Sequence, residues 1–564
     1  MFIKYYFIII CYYLLEYVMI TTILYKLLHL RQEVIPVKKS RYEFYEEEKL
    51  DSLVELVERS AKLYKDNTAF RFKKKKETFT KSYNDLLSDS REFGKFLLSK
   101  GLSKGHIALL GASSYKWITA YMGVQFAGMT VIPLDKELDG EILKQQMEKS
   151  HADFLFYDKE YEDTAEVILE LSGKDFPNFC IDKDLPENTD EVFFPAVQPD
   201  KLAAILFTSG TTGKSKGVML TQRNIANNVA CGLGSLKYKS GEDVLMSVLP
   251  FNHALESTFT IFGGIYAGVT ICISRSLKYL QKDIKEYQPT IMIIVPLIAE
   301  KLYDKIWATA KKKGKEEELK KGLAISHFFG KLGIDVSHKL LAEVREGFGG
   351  KLRIFICGGA PLKEDMIKKY KDLGVNLYQG YGLTECAPLL TVNFDYYHRP
   401  GSVGKIVDTC QVKSVDGEIW AKGTTVSSGY YNDEERTRES FEDGWFKTGD
   451  LGYVDKDGFV FITGRKKNLI ILSNGENVSA EELEDKVHTL SYVDEVIVYG
   501  KDDKIVAEIF PKEDIETPSE KDIYGDISKI NKELAYYKHI DKVVLRDEPF
   551  PKTTTNKIIR KVEN

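Results

Sequence analysis

Cysteine is scarce and scattered in this sequence, which excludes several classes of protein. The 564 residues include seven cysteines, with no CxxC pair and no histidine at metal-ligand spacing. We therefore expect a reducing compartment, no disulfide framework and no structural zinc or iron–sulfur site. Any metal should be a hard cation bound by oxygen atoms. The cysteines are Cys11, Cys180, Cys231, Cys272, Cys357, Cys386 and Cys410.

An excess of positive charge is also lacking. Lysine and arginine number 79 against 84 aspartates and glutamates, which gives a net charge of −5 and a pI near 6.1. There is no bulk attraction to nucleic acid, so we expect no nucleic-acid partner. Two lysine-rich runs, at 73–76 and 311–321, are typical of solvated faces.

One long apolar run, "YYFIIICYYLLEYVMITTILY" at 5–25, is long enough to span a bilayer. Basic residues from 26 to 41 would then keep the rest of the chain cytoplasmic, and no small-residue cleavage site follows. Against a span, Glu16 near its centre costs about 2.5–3.5 kcal/mol, and Met19 is an alternative start. The sequence therefore leaves two possibilities. Residues 5–25 attach the chain to a membrane surface, or they form a leader without that role.

The rest of the chain is too long for one core, and its patterns predict an α/β fold. Up to about residue 400, helical patterns alternate with short apolar strands, which indicates layered, mostly parallel βαβ sheets. From about 400 to 463, short strands and turn signals predict a small β-barrel-like subdomain. A small α+β C-terminal domain then follows on a hinge. The predicted parts are the leader 1–40, a large domain 41–464 and a small mobile domain 465–564.

The stretch "LFTSGTTGKSKGVML" at 206–220 resembles a phosphate-binding loop. It is not the loop of a P-loop NTPase, because Thr208 stands where that pattern requires glycine. Small side chains and free backbone N–H groups after a predicted strand, beside Lys214 and Lys216, nevertheless suit a polyphosphate. A flexible surface turn is the alternative.

Four further stretches supply groups that suit a nucleotide. In "YQGYGLTECAP" (378–388) a tyrosine can stack on a base and Glu385 can bind Mg²⁺, although such a tyrosine is as often a core residue. In "KTGDLGYVD" (447–455) Asp450 can accept from both ribose hydroxyls, or be a solvated turn residue. Arg465 in 463–484 can reach a ribose or phosphate. Lys557 in "PFPKTTTNKIIRK" (549–561) can deliver a cation to a cleft, or be exposed.

These five stretches together resemble the acyl-adenylate-forming superfamily, and among its members the bacterial long-chain fatty acid CoA ligases. The resemblance covers about residues 50–564. It implies ATP, Mg²⁺ and coenzyme A as ligands, with a medium- or long-chain fatty acid as the substrate. The acid would be converted to acyl-AMP and pyrophosphate, and then transferred to coenzyme A with release of AMP.

The resemblance also assigns roles to individual residues. The phosphates would be gripped by a loop that runs through Thr208, Ser209, Gly210, Thr211, Thr212, Gly213 and Lys216. The adenine slot and its neighbours would be Gly359, Ala360, Pro361, Gln379, Tyr381, Gly382 and Thr384. The ribose would be held by Asp450 and Arg465, and Mg²⁺ by Thr208 and Glu385. His253 would stand near the carboxylate, Lys467 would be the hinge, and Lys557 would bridge the carboxylate and the α-phosphate.

Two positions depart from the family pattern. Ser215 replaces a proline and Asn556 a glycine, and we expect both turns to survive. The apolar stretch 257–268 is either the lining of an acyl channel or ordinary helix packing. Only seven residues follow Lys557, which favours a free thiol acceptor over a fused carrier domain. Two alternatives remain: a fatty acyl-AMP ligase that loads acyl carrier protein, and a catalytically silent, membrane-associated adenylate sensor or scaffold.

Overall fold

The computed structural model describes residues 42–102, 104–172, 176–185, 192–208, 215–473, 476–502, 504–513, 515–552 and 558–560. The chain after Ser40 forms one compact unit. Within the described ranges, no helix has the length and apolar character needed to cross a bilayer. The apolar run at 5–25 lies outside them.

A sheet of 14 strands forms the centre of the fold. Six of its strands form a parallel array, in which the four-residue strand "IMII" is buried at every position, as expected for a sheet covered on both faces. In spatial order the parallel strands are β1 (Thr68–Lys74), β10 (Thr270–Ile273), β9 (Val244–Ser247), β11 (Ile291–Ile294), β12 (Ile354–Cys357) and β13 (Asn376–Gly382). The antiparallel strand β2 (Glu77–Ser82) pairs with β1.

The same sheet continues past β13 through antiparallel strands. Hairpins form at the predicted turns, where Asp416, Gly417 and Gly458 have positive φ. In spatial order these strands are β14 (Leu389–Val392), β15 (Gly404–Ile406), β20 (Phe459–Arg465), β19 (Trp445–Val454), β17 (Glu418–Gly423) and β16 (Cys410–Val415), and β18 (Phe441–Glu442) pairs with β19. The predicted short antiparallel strands are therefore joined to the parallel sheet by hydrogen bonds.

A second sheet has six strands, of which all but the last are parallel. The final strand turns back antiparallel, so that Thr208 and Lys216 are register partners on either side of the predicted phosphate loop. In spatial order the strands are β6 (Asn178–Cys180), β5 (Ala152–Tyr157), β3 (His106–Leu110), β4 (Thr130–Pro133), β7 (Leu202–Thr208) and β8 (Lys216–Thr221).

The C-terminal part has its own sheet and core. Strand β23 (Val493–Lys501) pairs antiparallel with β24 (Lys504–Pro511), which pairs parallel with β25 (Lys542–Leu545). A two-stranded ribbon, β21 (Leu469–Ile471) with β22 (Asn477–Ser479), precedes it. Most of the buried apolar side chains of this part, from Ile470 to Ile540, form one hydrophobic cluster, and Ile497, Phe510 and Phe550 form a second.

Helices cover the sheets, and side-chain caps fix several of their starts. Ser52 and Ser82 each accept a hydrogen bond from the backbone N–H three residues on, as N-cap residues do. The helices are α1 (Leu53–Tyr64), α2 (Tyr83–Ser99), α3 (Tyr115–Phe126), α4 (Gly140–Lys149), α5 (Glu162–Ser172), α6 (Gln222–Leu233), α7 (Gly263–Ala267), α8 (Leu280–Tyr287), α9 (Pro296–Lys312), α10 (Glu316–Lys331), α11 (Ser337–Leu340), α12 (Ala342–Gly347), α13 (Glu364–Asp372), α14 (Glu434–Ser440), α15 (Ala480–Val487) and α16 (Glu520–Lys532). The α/β architecture predicted from the sequence is confirmed.

Candidate active site

A cleft of about 3050 Å³ collects most of the predicted site residues. It is lined by the ends of β7, β12 and β13, by the β19–β20 hairpin, and by residues that follow Gly464. Polar groups from distant parts of the chain therefore face the same space as an apolar arm formed by α6, α7 and β11.

Lys216 and Glu385 form an ion pair that Tyr430 closes. The Tyr430 hydroxyl donates to Glu385 Oε1 at 2.8 Å, and it accepts from Lys216 Nζ at 3.0 Å. The ammonium also lies 4.7 Å from the centre of the Tyr430 ring. The Glu385 side chain is 6% exposed, so this charge is kept inside the fold by an opposite charge and a hydrogen bond.

Backbone pairing sets the positions of these three residues. Tyr430 lies beside β8 because Val218 and Tyr430 form a β-bridge and the Tyr431 N–H donates to Gly217. Glu385 sits on a tight turn after β13. That turn requires glycine at 382, because a Cβ there would lie 1.8 Å from the Pro388 carbonyl oxygen.

Asp450 holds a second cluster in the cleft. Its carboxylate accepts from the Tyr381 hydroxyl at 2.7 Å and from Arg465 Nε at 2.6 Å. Asp450 and Arg465 are partners in the β19–β20 ladder, which fixes their separation. Burial and the charge of Asp450 raise the pKa of Tyr381 well above its usual value, so the hydroxyl stays protonated and donates.

The remaining predicted nucleotide residues lie on the same edge of the sheet. Gly359, Ala360 and Pro361 follow β12, and Gln379 stands beside them on β13. Thr384 begins the turn that carries Glu385. Gly359 has φ of 83°, a conformation that favours glycine. All of them line the cleft, so the structure brings together what the sequence separates.

His253 lines the cleft and comes directly before a helical segment. Residues Glu256–Phe262 of this segment are π-helical. Leu255, Phe259 and Gly264 of this segment line the apolar arm, together with Gly232 of α6. The predicted channel stretch 257–268 is thus helical and contributes to the wall of the cleft.

Glu256, three residues after His253, is completely buried. Its carboxyl oxygens accept from the Ser247 and Thr260 hydroxyls and from the Val248 N–H. Burial raises the pKa of Glu256 to about 8. These hydrogen bonds join the end of β9 to the π-helical segment, so the Glu256 carboxyl holds this part of the cleft wall in place.

Cations gather on the side of the cleft contributed by the C-terminal part. Burial, and then the charges of Arg465 and Arg560, lower the pKa of Lys467. Arg560 pairs with Glu484, whose pKa burial raises to about 7. A positive potential of this kind attracts an anionic ligand such as a polyphosphate.

Six of the predicted site residues lie outside the described residues. They are Ser209, Gly210, Thr211, Thr212, Gly213 and Lys557. Thr208, at the start of the loop, is described, and its buried Oγ1 has no hydrogen-bond partner among the described atoms.

Sequence reasoning missed Tyr430, Glu256 and Glu418. Glu418 accepts from the Gly449 N–H and pairs with Lys466 at 2.9 Å, which supports the Asp450 turn. Glu256 offered a signal, since a lone carboxylate inside an apolar helical run needs buried partners. Tyr430 offered none, because only the β-bridge to β8 brings it to Glu385.

Two family models match this chain. The AMP-binding enzyme model matches residues 57–431, and the AMP-binding enzyme C-terminal domain model matches residues 467–563. Among curated proteins, Long-chain-fatty-acid–CoA ligase FadD15 of Mycobacterium bovis is 30% identical over 444 residues, which cover 72% of each chain. Fatty acyl-CoA synthetase B of Dictyostelium discoideum is 28% identical, over 89% of this chain and 83% of its own.

Solved structures share the fold. The anthranilate CoA ligase AuaEII, in complex with anthranoyl-AMP, has a TM-score of 0.75 at 20% identity and covers 92% of this chain and 96% of its own. The O-succinylbenzoate coenzyme A synthetase of Bacillus subtilis, in complex with AMP, has a TM-score of 0.73 at 23% identity and covers 91% and 98%. At these identities the likeness establishes the architecture alone.

Proposed function

This chain belongs to the AMP-binding enzyme family, and on that premise we propose that it activates a medium- or long-chain fatty acid. ATP converts the acid to acyl-AMP with release of pyrophosphate, and coenzyme A then takes the acyl group with release of AMP. The protein is accordingly an AMP-forming acid–thiol ligase. The relatives named as fatty-acid CoA ligases support the choice of acid and acceptor.

One observation carries this proposal. The Lys216–Glu385–Tyr430 cluster and the Tyr381–Asp450–Arg465 cluster line a single cleft whose other arm is apolar. The first cluster suits phosphates and their metal. The second suits a ribose, because a carboxylate can accept hydrogen bonds from both ribose hydroxyls. The apolar arm suits an acyl chain.

The described residues fit Mg²⁺ at the first cluster. Mg²⁺ usually takes one or two protein oxygens and fills its other positions with phosphate oxygens and water. Thr208 Oγ1, which has no hydrogen-bond partner among the described atoms, would supply one oxygen. Both hydrogen bonds to Glu385 fall on Oε1, which leaves Oε2 as the second. When bound there, the metal neutralises phosphate charge.

The chemical step must overcome repulsion between a carboxylate and a triphosphate. Attack of the acid oxygen on the α-phosphorus forms the acyl–phosphate bond and breaks the bond to pyrophosphate. Lys216, Arg465 and Lys467 contribute positive charge to the cleft where negative charge develops. Lys557, outside the described residues, is proposed to bridge the carboxylate and the α-phosphate.

We propose that His253 stands beside the acid carboxylate and that Glu256 holds its helical segment in place. Tyr381 and the backbone of Gly359, Ala360 and Pro361 would flank the adenine. The second step needs no protein nucleophile, because AMP is a good leaving group when a thiol attacks the acyl carbon.

Residues 465–564 are proposed to move as a small domain about Lys467 between the two steps. Contacts that would break are the Lys466–Glu418 ion pair and the Lys363–His488 hydrogen bond, at 2.9 Å and 3.1 Å. The Lys363–His488 contact is exposed and therefore individually weak. In the other pair Lys466 is 64% exposed, whereas Glu418 is buried.

We also propose a cytoplasmic location, with residues 5–25 attaching the chain to a membrane surface. The basic residues that follow them support this proposal.

The decisive experiment measures AMP release over acids from acetate to stearate, together with aromatic and amino acids, with and without coenzyme A. Coenzyme-dependent AMP release that is fastest with a fatty acid is expected. Pyrophosphate exchange without consumption of coenzyme A would instead indicate a ligase that loads acyl carrier protein. Activity that survives Lys557→Ala unchanged would contradict the assigned mechanism, and no activity with any acid would indicate a sensor or scaffold.

A further inference from the structure

Helix α10 carries large apolar side chains on the face that points away from the fold. Ile325, Phe328 and Leu332 follow one another at spacings of three and four residues, which places them on one side of the helix. Phe328 is 61% exposed and Leu332 is 62% exposed. Ile334, in the connection that follows, and Leu340, in α11, are exposed as well. We call Ile325, Phe328 and Leu332 the α10 patch.

The opposite face of α10 is fixed to the body of the protein. Leu319 and Ser326 are buried, and the Ser326 hydroxyl donates to the Asp372 carbonyl at 2.6 Å. His327 Nδ1 lies 3.0 Å from Asp372 Oδ1. Because these contacts with the end of α13 set the rotation of the helix, the patch faces outward as a consequence of the fold. Rotation of the helix to bury Phe328 would expose the residues that now anchor it.

Positive charge predominates around the later part of α10, whereas its first turn carries Glu316, Glu317 and Glu318. Residues 320–340 contain four lysines and a single acidic residue, Asp335, although the whole chain has a net charge of −5. Lys321 lies one turn before Ile325, and Lys331 stands beside Leu332. Helix α9, which packs against α10, ends in Lys311 and Lys312. An exposed apolar stripe bordered by lysines is the pattern of a helix that lies in a membrane interface.

We propose that the α10 patch docks on an anionic lipid surface. The apolar side chains would enter the boundary between headgroups and acyl chains, while the lysines would contact lipid phosphates. This contact is separate from the apolar run at 5–25. It does not depend on the proposed function, although α9, whose Lys305 lines the cleft, connects the patch to the site of an acid that dissolves in lipid.

The test is cosedimentation of the full-length protein with vesicles of phosphatidylcholine, alone or mixed with phosphatidylglycerol. Phe328→Ser with Leu332→Ser should lower the partition coefficient on mixed vesicles by about tenfold or more, because two anchors are lost. The matched control is Leu63→Ser with Val167→Ser, which are 55% and 46% exposed on other helices. The control should bind as the unchanged protein does.

A second pair of variants tests the charge and keeps every apolar contact. Lys321→Glu with Lys331→Glu should lower binding to mixed vesicles by roughly tenfold or more, with little change on pure phosphatidylcholine. Lys62→Glu with Lys521→Glu is the control, since it changes the net charge equally at exposed positions elsewhere. Binding by both patch variants equal to that of their controls would overturn the proposal.

The other occupant of such a face would be a second copy of this chain. Light scattering on the same variants distinguishes the two. A monomer produced by Phe328→Ser with Leu332→Ser from a dimeric parent, with vesicle binding unchanged, would also overturn the lipid proposal and assign the patch to self-association. An unchanged oligomeric state with reduced vesicle binding supports it.

Discussion

The Tyr430 hydroxyl donates a hydrogen bond to Glu385 Oε1 at 2.8 Å, although the two residues are 45 positions apart and share no motif. The bond closes the Lys216–Glu385 ion pair on Oε1, and the metal that we propose would use Oε2. The orientation of a proposed metal ligand thus depends on a residue that is not itself a ligand. Neighbours of this kind commonly contribute to metal affinity.

Tyr430→Phe should therefore weaken use of the ATP–magnesium complex while the fold is retained. We expect kcat/KM for ATP to fall about tenfold or more and the magnesium requirement to rise, because Glu385 loses one of its two restraints. Steady-state rates over a magnesium titration measure both effects. Tyr453→Phe, on the exposed side of β19, is the control. Superimposable magnesium curves would show that Tyr430 does not act through Glu385.

Asp450→Asn should raise the KM for ATP. The change removes the negative charge that pairs with Arg465 and that strengthens a hydrogen bond from a ribose hydroxyl. The amide oxygen can still accept the hydrogen bond from Tyr381. Loss of two charge-assisted bonds predicts a fall of about a hundredfold in kcat/KM for ATP. Asp416→Asn, at a hairpin turn that asparagine tolerates, should change nothing. An unaltered KM for ATP with the same acid would remove Asp450 from the ribose site.

Glu256→Gln should change how stability depends on pH. The pKa of Glu256 rises from 4.5 to about 8 on folding, so between these values the folded protein holds a proton that the unfolded chain has released. The free energy of unfolding therefore decreases as pH rises through this window, by up to about 1.4 kcal/mol per pH unit for one group. Glutamine stays neutral, so the variant should gain stability relative to the parent as pH rises.

Urea unfolding at several pH values between about 5 and 8, the window given by that linkage, measures this difference. Glu346→Gln, at an exposed position, should follow the parent at every pH. If Glu256→Gln and the parent lose stability in parallel, Glu256 is ionised in the folded protein and its three donors outweigh burial.

Gly232→Ala should shift the acid preference toward shorter chains. A Cβ at this position would lie 2.2 Å from Phe259 Cε1, so the ring must move within the apolar arm that both residues line. We expect the ratio of kcat/KM for palmitate to that for octanoate to fall about tenfold. Gly525→Ala is the control, because a Cβ there meets no atom within 4 Å. An unchanged ratio would show that the acyl chain does not pass Phe259.

Lys467→Pro should separate the two half-reactions. Proline fixes φ near −65° and so restricts the backbone at the proposed hinge. Pyrophosphate exchange should persist, whereas acyl-CoA formation should fall by about tenfold or more, because the second step waits for the domain to move. Lys467→Ala removes the same charge and leaves φ free, so it should be less impaired in acyl-CoA formation. Equal loss in the proline and alanine variants would contradict a hinge at this position.

Much of the fold and part of the site could be predicted from the sequence. Apolar runs such as "IMII" at 291–294 and turns such as Asp416-Gly417 are local signals, and the strands and hairpins lie where they indicated. The family membership that the sequence predicts is confirmed by the two family models. It could be predicted because the motifs of the family are short and contiguous. The motifs indicate Asp450 and Arg465 separately, but no local signal predicts that the two residues pair in the β19–β20 ladder.

Periodicity, turn residues and motif spacing are properties of neighbouring positions, so the elements, the family and the available chemical groups could be recognised from the amino-acid sequence. Which of these groups meet depends on the tertiary fold. Tyr430 reaches Glu385 through a bridge to β8, and Glu256 finds its donors at the end of β9. The α10 patch is outward only because α13 anchors the other face of the helix. Long-range pairing and burial arise from the packing of the whole chain, and no local stretch encodes them.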